Sequence, residues 1–281
     1  MKKILHILLL ILLLCSFTSC SSSPDEIPQG PDSDNEVNKT EFLIFQNEIK
    51  LYGNIYTPLD FDESMSYPLI IMSHSANVNS DTLNSYATRS ALLGYIAYTF
   101  DFPSACNDSR SDDIALCTIF TEIDTLSFLV NYFSEVNYVN KIYLFGTSQG
   151  GLVSSVVADE MESLIDGLIL FYPAYNIPEM IVSFPYFTDK DYVEQLKEYN
   201  VYDHIGKFQK DVLIEHGTKD IMVPYSYSER ADELYVNSTL ILIDGANHGF
   251  NKENHYMNDD YDEETWSYVA DYLTSHLEIM D

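Results

Sequence analysis

A short glycine- and serine-rich segment constrains this chain more than any other feature. The apolar residues 142–145 lead directly into residues 146–151, whose pattern is Gly-x-Ser-x-Gly, and small residues typical of a helix follow. So tight a turn between a strand and a helix strains the serine backbone, and it leaves no room for side chains at the flanking positions. We therefore expect Ser148 to stand at the tip of a strand, as a nucleophile must. The alternative is a glycine–serine turn without chemistry.

Short apolar runs alternate with helical periodicity over most of the chain. The helix expected over residues 118–133, for example, places Ile119, Ile123, Leu126, Val130 and Phe133 on one apolar stripe. Such alternation predicts a mostly parallel sheet with helices on both faces and a site at the carboxyl ends of the strands. The predicted strands are 69–72, 95–100, 142–145, 168–171, 212–214 and 240–243, and the other predicted helices are 82–93, 150–160, 226–235 and 264–277.

The folded domain is expected to begin near Thr40 with an antiparallel hairpin. Residues 41–46 and 49–56 each alternate apolar and polar side chains, and Asn47-Glu48 lies between them as a turn. Together with the strands and helices that follow, this predicts one domain over residues 40–281.

Two further residues complete a catalytic pattern with the serine. A nucleophilic serine needs a base to accept its proton, and the base needs an acid to fix its tautomer. Asp220 follows the predicted strand 212–214, and His248 follows the predicted strand 240–243. Each residue is a weak signal alone, but the order Ser148, Asp220, His248 after successive strands indicates a triad of nucleophile, acid and base.

An acyl-transfer site also needs backbone N–H groups to stabilise a negatively charged oxygen. Gln149, directly after the serine, is expected to give one, and Ala76 in the loop after the first parallel strand the other. Neither His74 nor His216 stands at the place of the base in the chain order, after the nucleophile and the acid. We therefore expect both to form hydrogen bonds near the site.

A long insertion interrupts the alternation of strands and helices. Residues 173–209 separate two predicted strands by far more than an ordinary connection and are rich in aromatic side chains. We interpret the insertion as a lid, with Tyr175, Tyr186 and Phe187 as substrate-binding residues. The alternative is a peripheral subdomain that packs on itself.

With these motifs in place, residues 40–281 resemble the α/β-hydrolase superfamily and, within it, the cinnamoyl and feruloyl esterase-like group. The resemblance implies an α/β-hydrolase fold, no cofactor or metal, and cleavage of hydroxycinnamate esters of plant cell-wall polysaccharide beneath a short lid. The chain departs from the group's pattern at Ser75 and Ala76 in the oxyanion loop and at Ser104-Ala105 after the second parallel strand. Because Ser75 stands where the group usually has glycine, the resemblance implies that Ser75 takes a backbone conformation that glycine reaches more easily. The closer likeness rests on Phe100-Asp101-Phe102, Ser109-Arg110-Ser111-Asp112, Gly151-Leu152-Val153, Phe171-Tyr172-Pro173-Ala174, residues 223–230 and residues 245–250.

The favoured function is therefore hydrolysis of carboxylic esters, of a feruloyl or cinnamoyl type or of short acyl groups on carbohydrate. One alternative is a serine peptidase of the prolyl oligopeptidase type, whose catalytic domain uses the same triad. Another is a surface lipoprotein that binds glycan or protein on a hydrolase scaffold without catalysis.

The first twenty residues have the features of a secretory signal. Lys2 and Lys3 precede an apolar stretch that is too short to span a bilayer, and Thr18-Ser19 stand directly before Cys20. The segment resembles a bacterial lipoprotein signal over residues 1–19, which implies lipidation of Cys20. Residues 20–39, rich in serine, proline and acidic side chains, are predicted to be a flexible spacer. We expect an extracytoplasmic protein whose membrane contact is the lipid anchor; ordinary signal cleavage is the alternative.

Charge and cysteine content limit which ligands and cross-links the protein can have. The formal net charge is −30, which disfavours binding to nucleic acid or anionic headgroups. In an oxidising compartment Cys106 and Cys117 are either a disulfide or two thiols. The acidic residues 251–264 match no metal-ligand spacing, so we expect no metal site and interpret them as a solvated loop.

Overall fold

The computed structural model describes residues 37–104, 108–183, 189–250 and 261–278. They belong to one compact unit, Ser33–Asp281. Its strands are β1 Val37–Glu41, β2 Ile44–Gln46, β3 Ile49–Leu51, β4 Gly53–Pro58, β5 Tyr67–Ser73, β6 Ile96–Phe100, β7 Val139–Thr147, β8 Gly167–Phe171, β9 Asp211–Gly217 and β10 Ser238–Ile243. Its helices are α1 Asn84–Leu92, α2 Ile119–Ser134, α3 Gln149–Glu160, α4 Ile177–Ser183, α5 Lys190–Glu198, α6 Ser226–Asp232 and α7 Asp262–Glu278.

Eight strands form one twisted sheet in the order β1-β4-β6-β5-β7-β8-β9-β10. The strands from β6 to β10 pair in parallel, whereas β4 pairs antiparallel with both β1 and β6. Strand β5 lies between β6 and β7, so the chain continues first to one side of β5 and then to the other. The carboxyl ends of strands at such a reversal form a crevice where α/β proteins bind ligands.

Two hydrophobic layers cover the sheet because its central strands are apolar on both faces. In β5, Leu69 and Ile71 point to one layer, and Ile70 and Met72 point to the other. Helices α2 and α3 pack on the first face and α1 and α7 on the second. This arrangement confirms the predicted fold class, a mostly parallel sheet with helices on both faces.

Helix α2 lies within one residue of the bounds that the apolar periodicity predicted. Thr118 caps its first turn, since its side chain accepts from the Thr121 N–H while the Thr121 hydroxyl accepts from the Thr118 N–H. The predicted stripe from Ile119 to Phe133 is buried against the sheet and α3.

The leading hairpin differs from the prediction in its details. The first strand begins at Val37 rather than near Thr40, and both arms of the hairpin are interrupted. The outer parts, β1 and β4, pair within the main sheet, whereas β2 and β3 form a separate two-stranded ribbon around Asn47, whose φ is 57°. Ile44 and Leu51 of this ribbon are buried in the core on the α2 side of the sheet.

The described part of the predicted insertion, residues 173–209, packs both on itself, where α4 contacts α5, and against α3 in the body of the domain. It contains α4, α5 and a short 3₁₀ helix, Val201–His204. Tyr192, Leu196 and Phe208 are buried in the same hydrophobic layer as α2 and α3. The later part of the insertion is therefore a packed extension of the core, and its beginning borders the site described below.

Several predictions concern residues outside the described ranges. These are the signal over residues 1–19, the lipidated Cys20, most of the spacer, Cys106, Tyr186, Phe187 and most of the acidic stretch. They stay predictions, as does the pairing of Cys106 with Cys117. Within the described ranges, none of the helices is long and apolar enough to cross a membrane.

Candidate active site

A sharp turn between β7 and α3 holds Ser148. Its φ of 51° and ψ of −115° are values that residues with a side chain rarely adopt. A carbon added at Gly146 would lie 2.4 Å from the Gly150 carbonyl oxygen, and one added at Gly150 would lie 2.3 Å from the Ser73 carbonyl oxygen. The close approach of backbone at both glycines explains why this sequence folds into this turn.

Ser148, His248 and Asp220 form one hydrogen-bonded chain. His248 Nε2 lies 2.9 Å from Ser148 Oγ, and His248 Nδ1 lies 2.7 Å from Asp220 Oδ2. The three residues are buried and follow β7, β10 and β9, whose carboxyl ends meet at the same edge of the sheet. The structure thus brings together the three residues that the sequence singled out.

Asp220 is held in its ionised form. Burial raises the pKa of its carboxyl group, but hydrogen bonds from His216 and His248 outweigh this effect and hold the pKa well below its usual range. The other oxygen, Oδ1, accepts from the N–H groups of Met222 and Val223 at 2.9 and 2.8 Å. An ionised Asp220 draws the proton of His248 to Nδ1, which leaves Nε2 free to accept the serine proton.

The two other histidines near the site form hydrogen bonds, as expected. His216 Nε2 lies 2.8 Å from the Val223 carbonyl oxygen and 3.2 Å from Asp220 Oδ2, while its Nδ1 contacts Ser228 Oγ at 2.7 Å. His216 therefore contacts the same oxygen of the triad acid, Asp220 Oδ2, as His248 does.

His74 connects the loop after β5 to the end of β6. Its Nδ1 donates to the Ser75 carbonyl oxygen at 2.8 Å, and its Nε2 accepts from the Phe102 N–H at 3.1 Å. Burial lowers the pKa of His74 and keeps it neutral, as these two opposite hydrogen-bond roles require.

The two expected oxyanion donors face the same cavity. Gln149 is the first residue of α3, where N–H groups have no partner within the helix, and Ala76 belongs to the loop after β5; both residues line the cavity. Ser75 Oγ lies 2.9 Å from Thr147 Oγ1, so the loop is tied to the serine turn.

The expectation that Ser75 needs a glycine-like backbone is wrong. The residue of this loop with a left-handed backbone is Asn77, whose φ is 59°, and Ser75 is not among the described residues with positive φ. Asparagine tolerates this conformation better than most residues, so the loop forms its turn without glycine.

The Gln149 side chain is held by Glu122 of α2. Gln149 Nε2 donates to both carboxyl oxygens of Glu122 at 2.8 and 2.7 Å, and Cys117 Sγ lies 3.4 Å from one of them. Burial raises the pKa of Glu122 to about 7, against the lowering effect of these hydrogen bonds. We did not predict this contact from the sequence, although Glu122 lies within the spacing of the apolar stripe of α2.

A cavity of about 340 Å³ opens beside Ser148 Oγ. No aspartate, glutamate, lysine or arginine side chain of the described residues lines it. Its apolar wall is formed by Val78, Tyr172, Ile177, Met180, Met222 and Val223. This apolar wall is suited to a largely apolar group next to the nucleophile.

Tyr172 is a site residue that sequence reasoning did not single out for the cavity. Its ring centroid lies 4.6 Å from that of His248, and its φ of 39° marks a sharp bend at the end of β8. Its N–H donates to the Glu215 carbonyl oxygen at 2.7 Å. The ring thus packs against the imidazole and restricts where that ring can turn.

Tyr175, a predicted substrate-binding residue, does not line the cavity. It is buried, its hydroxyl lies 2.8 Å from Ser155 Oγ, and its ring packs against Tyr202. Its neighbours Ala174 and Asn176 face the cavity instead, so the backbone turns Tyr175 toward the core. The prediction for Tyr175 is therefore wrong, and those for Tyr186 and Phe187 lie outside the described residues.

Comparisons with known proteins agree with this fold. Est1E from Butyrivibrio proteoclasticus, solved with ferulic acid bound, superimposes with a TM-score of 0.66 at 24% identity over 84% of this chain and 97% of that one. Human prolyl endopeptidase FAP is 24% identical over 237 residues, 76% of this chain and 30% of that protein. The uncharacterised protein YcjY of Escherichia coli is 29% identical over 105 residues, 37% of this chain and 34% of that protein. The chain spans about a third of the length of these two curated relatives.

A family model covers the part of the chain that carries the triad. The model of the prolyl oligopeptidase family matches residues 122–276, more than half of the sequence. The match runs from α2 through Ser148, Asp220 and His248 into α7. The chain is an α/β-hydrolase that belongs to the prolyl oligopeptidase family.

Proposed function

We propose that the protein is a serine hydrolase that cleaves carboxylic esters through an acyl-enzyme. The observation that carries the proposal is the continuous chain from Ser148 Oγ through His248 to an ionised Asp220, at the mouth of an apolar cavity. This arrangement supplies the nucleophile, the base and the acid that acyl transfer requires.

In the first half of the reaction His248 Nε2 takes the proton of Ser148 as Oγ attacks the ester carbonyl carbon. The carbonyl oxygen becomes negatively charged in the tetrahedral intermediate and accepts hydrogen bonds from the N–H groups of Gln149 and Ala76. The carbon–oxygen bond to the alcohol then breaks, and His248 gives its proton to the leaving alkoxide. The acyl group remains on Ser148.

Water completes the cycle by the same steps. His248 removes a proton from water, and the hydroxide attacks the acyl carbon. The intermediate collapses, His248 returns the proton to Ser148 Oγ, and the carboxylic acid leaves. Asp220 stays ionised throughout and stabilises the imidazolium that forms in each half.

The cavity supports an apolar acyl group of a feruloyl or cinnamoyl type, or a short acyl group, as the part bound next to Ser148. Apolar side chains form most of its wall, while Asn77 and Asn176 offer polar contacts at the loop edges. The likeness to Est1E, whose solved complex contains ferulic acid, supports the same substrate class.

A peptidase activity is the second candidate, because the family model and FAP favour it. A peptidase that holds a free peptide amine needs a carboxylate near the nucleophile to pair with that charge. Neither aspartate nor glutamate lines the cavity among the described residues. We therefore propose ester hydrolysis first and keep peptide hydrolysis as the second candidate.

A substrate panel tests the assignment. Purified protein is offered methyl ferulate, acetylated xylan, short acyl aryl esters and proline-terminated peptides, and product release is measured for each. We expect turnover of one or more esters, with kcat/KM for peptides at least a hundredfold lower, because none of the described residues that line the cavity offers a carboxylate to hold the amine. Turnover of peptides alone would overturn the esterase assignment, and no turnover of any member would favour a binding protein on a hydrolase scaffold.

A further inference from the structure

A buried carboxylate lies behind the residue that follows the nucleophile. Glu122 is 2% exposed and occupies the first turns of α2, on the face that packs against α3. Its hydrogen bonds run to the side chains of Gln149 and Cys117. The closest are the two from Gln149 Nε2, which engage both carboxyl oxygens.

Packing alone gives no reason for an acid at this position. The neighbouring stripe residues Ile119 and Leu126 are fully buried and apolar, and an apolar side chain at 122 would continue the stripe. Removing a carboxylate from water is costly, and replacing buried charged groups by apolar ones is often neutral or stabilising. A carboxyl group at position 122 therefore lowers the stability of the fold. Its shortest hydrogen bonds are with Gln149, a residue of the active site.

The contact fixes a backbone group that the proposed reaction uses. Gln149 directly follows Ser148, whose backbone is already in a rare conformation, so the direction of the Gln149 N–H depends on restraints around the turn. Two hydrogen bonds to one carboxylate restrict the rotation of the Gln149 side chain. They also keep the Gln149 side chain bound to α2, while Gln149 itself lines the cavity next to Ser148.

We propose that Glu122 is a positioning residue that acts through the Gln149 side chain to aim the Gln149 N–H at the oxyanion. The inference rests on the proposed function of the Ser148 site. It adds a residue from a different helix, which contacts neither the substrate nor the reacting atoms.

A double-mutant cycle tests whether the two residues act as a unit. We expect Glu122→Ala and Gln149→Ala each to lower kcat about tenfold with KM changed less than twofold, because a misdirected donor affects the transition state more than substrate binding. The double variant should be no slower than the slower single variant. Effects that multiply to about a hundredfold, or a Glu122→Ala enzyme with normal kcat, would overturn the proposal.

Two further variants separate positioning from a general loss of packing. Glu122→Gln keeps one carbonyl acceptor for Gln149 and should recover most of kcat. Thr125→Val changes a buried residue one turn further along α2 that contacts Gln46 instead of Gln149, and it should leave kcat unchanged. A decrease in kcat for Thr125→Val equal to that for Glu122→Ala would attribute the effect to helix packing.

A measurement that needs no substrate keeps this proposal distinct from the proposed function. Nitrogen-15 relaxation reports how rigid the Gln149 side-chain amide is on the picosecond to nanosecond timescale. We expect a rigid amide in the native protein and in Thr125→Val, and a mobile one in Glu122→Ala. A mobile amide in the native protein would overturn the positioning role even if Ser148 hydrolyses esters, and a rigid one in an inactive protein would contradict the proposed function alone.

Discussion

Ser148→Ala is expected to lower kcat for a short aryl ester by about 10⁶-fold, to the level left by binding and the oxyanion donors. The substitution removes the hydroxyl that His248 Nε2 contacts at 2.9 Å, and among the described residues the hydrogen bonds of that nitrogen include no second hydroxyl to replace it. Thermal unfolding should change little, because Ser148 is a small residue at a turn fixed by the glycines around it.

Ser154→Ala is the matched control for this variant. Ser154 lies on α3, the helix that begins directly after Ser148; it is fully buried, and its hydroxyl has no hydrogen-bond partner among the described residues. Its replacement should leave kcat unchanged and the free energy of unfolding equal or higher. Residual hydrolysis by Ser148→Ala above about 1% of the native rate would exclude Ser148 as the nucleophile.

Glu215→Gln is expected to remove a strong dependence of stability on pH. Glu215 lies on β9 on the same face as Leu213, is fully buried, and neither carboxyl oxygen has a hydrogen-bond partner among the described residues. Burial, with a smaller contribution from the charge of Glu264, raises the pKa of Glu215 from 4.5 to about 9. The protein is therefore most stable when this carboxyl group is protonated.

Proton linkage determines how the free energy of unfolding changes with pH. Between pH 4.5 and pH 9 the folded protein keeps a proton on Glu215 that the unfolded chain has released. Each pH unit in this window lowers the free energy of unfolding by up to about 1.4 kcal/mol, on the order of 5 kcal/mol from pH 5 to pH 9. The stabilisation is complete below the unfolded pKa and is lost as the pH rises through the folded pKa.

Urea unfolding of the native protein and of Glu215→Gln, from pH 5 to pH 9, measures this effect. The variant should be the less stable protein or its equal at pH 5 and the more stable one at pH 9, because its amide cannot ionise. Glu198→Gln, which changes an exposed glutamate, serves as the control and should follow the native protein at every pH. A constant difference between Glu215→Gln and the native protein across the range would contradict the assignment.

The sequence determined the fold and the triad for a clear physical reason. Parallel strands place their carboxyl ends at one edge of the sheet, so residues that follow β7, β9 and β10 must lie near one another. The order of Ser148, Asp220 and His248 along the chain was therefore enough to predict their convergence. Periodicity likewise located α2 to within a residue at each end.

The two predictions that were wrong, for Tyr175 and Ser75, both concern irregular backbone. The chain bends sharply at Tyr172, so no alternation rule tells which side chains after it face the cavity, and Tyr175 turned out to point into the core. The same limit applies to the loop after β5, where Asn77 rather than Ser75 takes the left-handed conformation.

Two acidic residues within apolar patterns could have been used to predict buried carboxyl groups from the sequence. Glu122 falls between Ile119 and Leu126 on the buried stripe of α2, and Glu215 continues a buried strand beyond Ile214. A charged residue at a buried position needs a partner or a raised pKa. The first has a partner in Gln149, and the second has the raised pKa.

Covalent labelling tests the central claim most directly. An alkyl fluorophosphonate reacts with a serine oxygen that a neighbouring base activates and forms a stable phosphonyl adduct with loss of fluoride. Mass spectrometry of the intact protein and of its peptides should find one adduct per chain on Ser148, none in Ser148→Ala, and labelling slowed at least a hundredfold in Asp220→Asn. An unlabelled native protein, or an adduct on any other residue, would contradict the account.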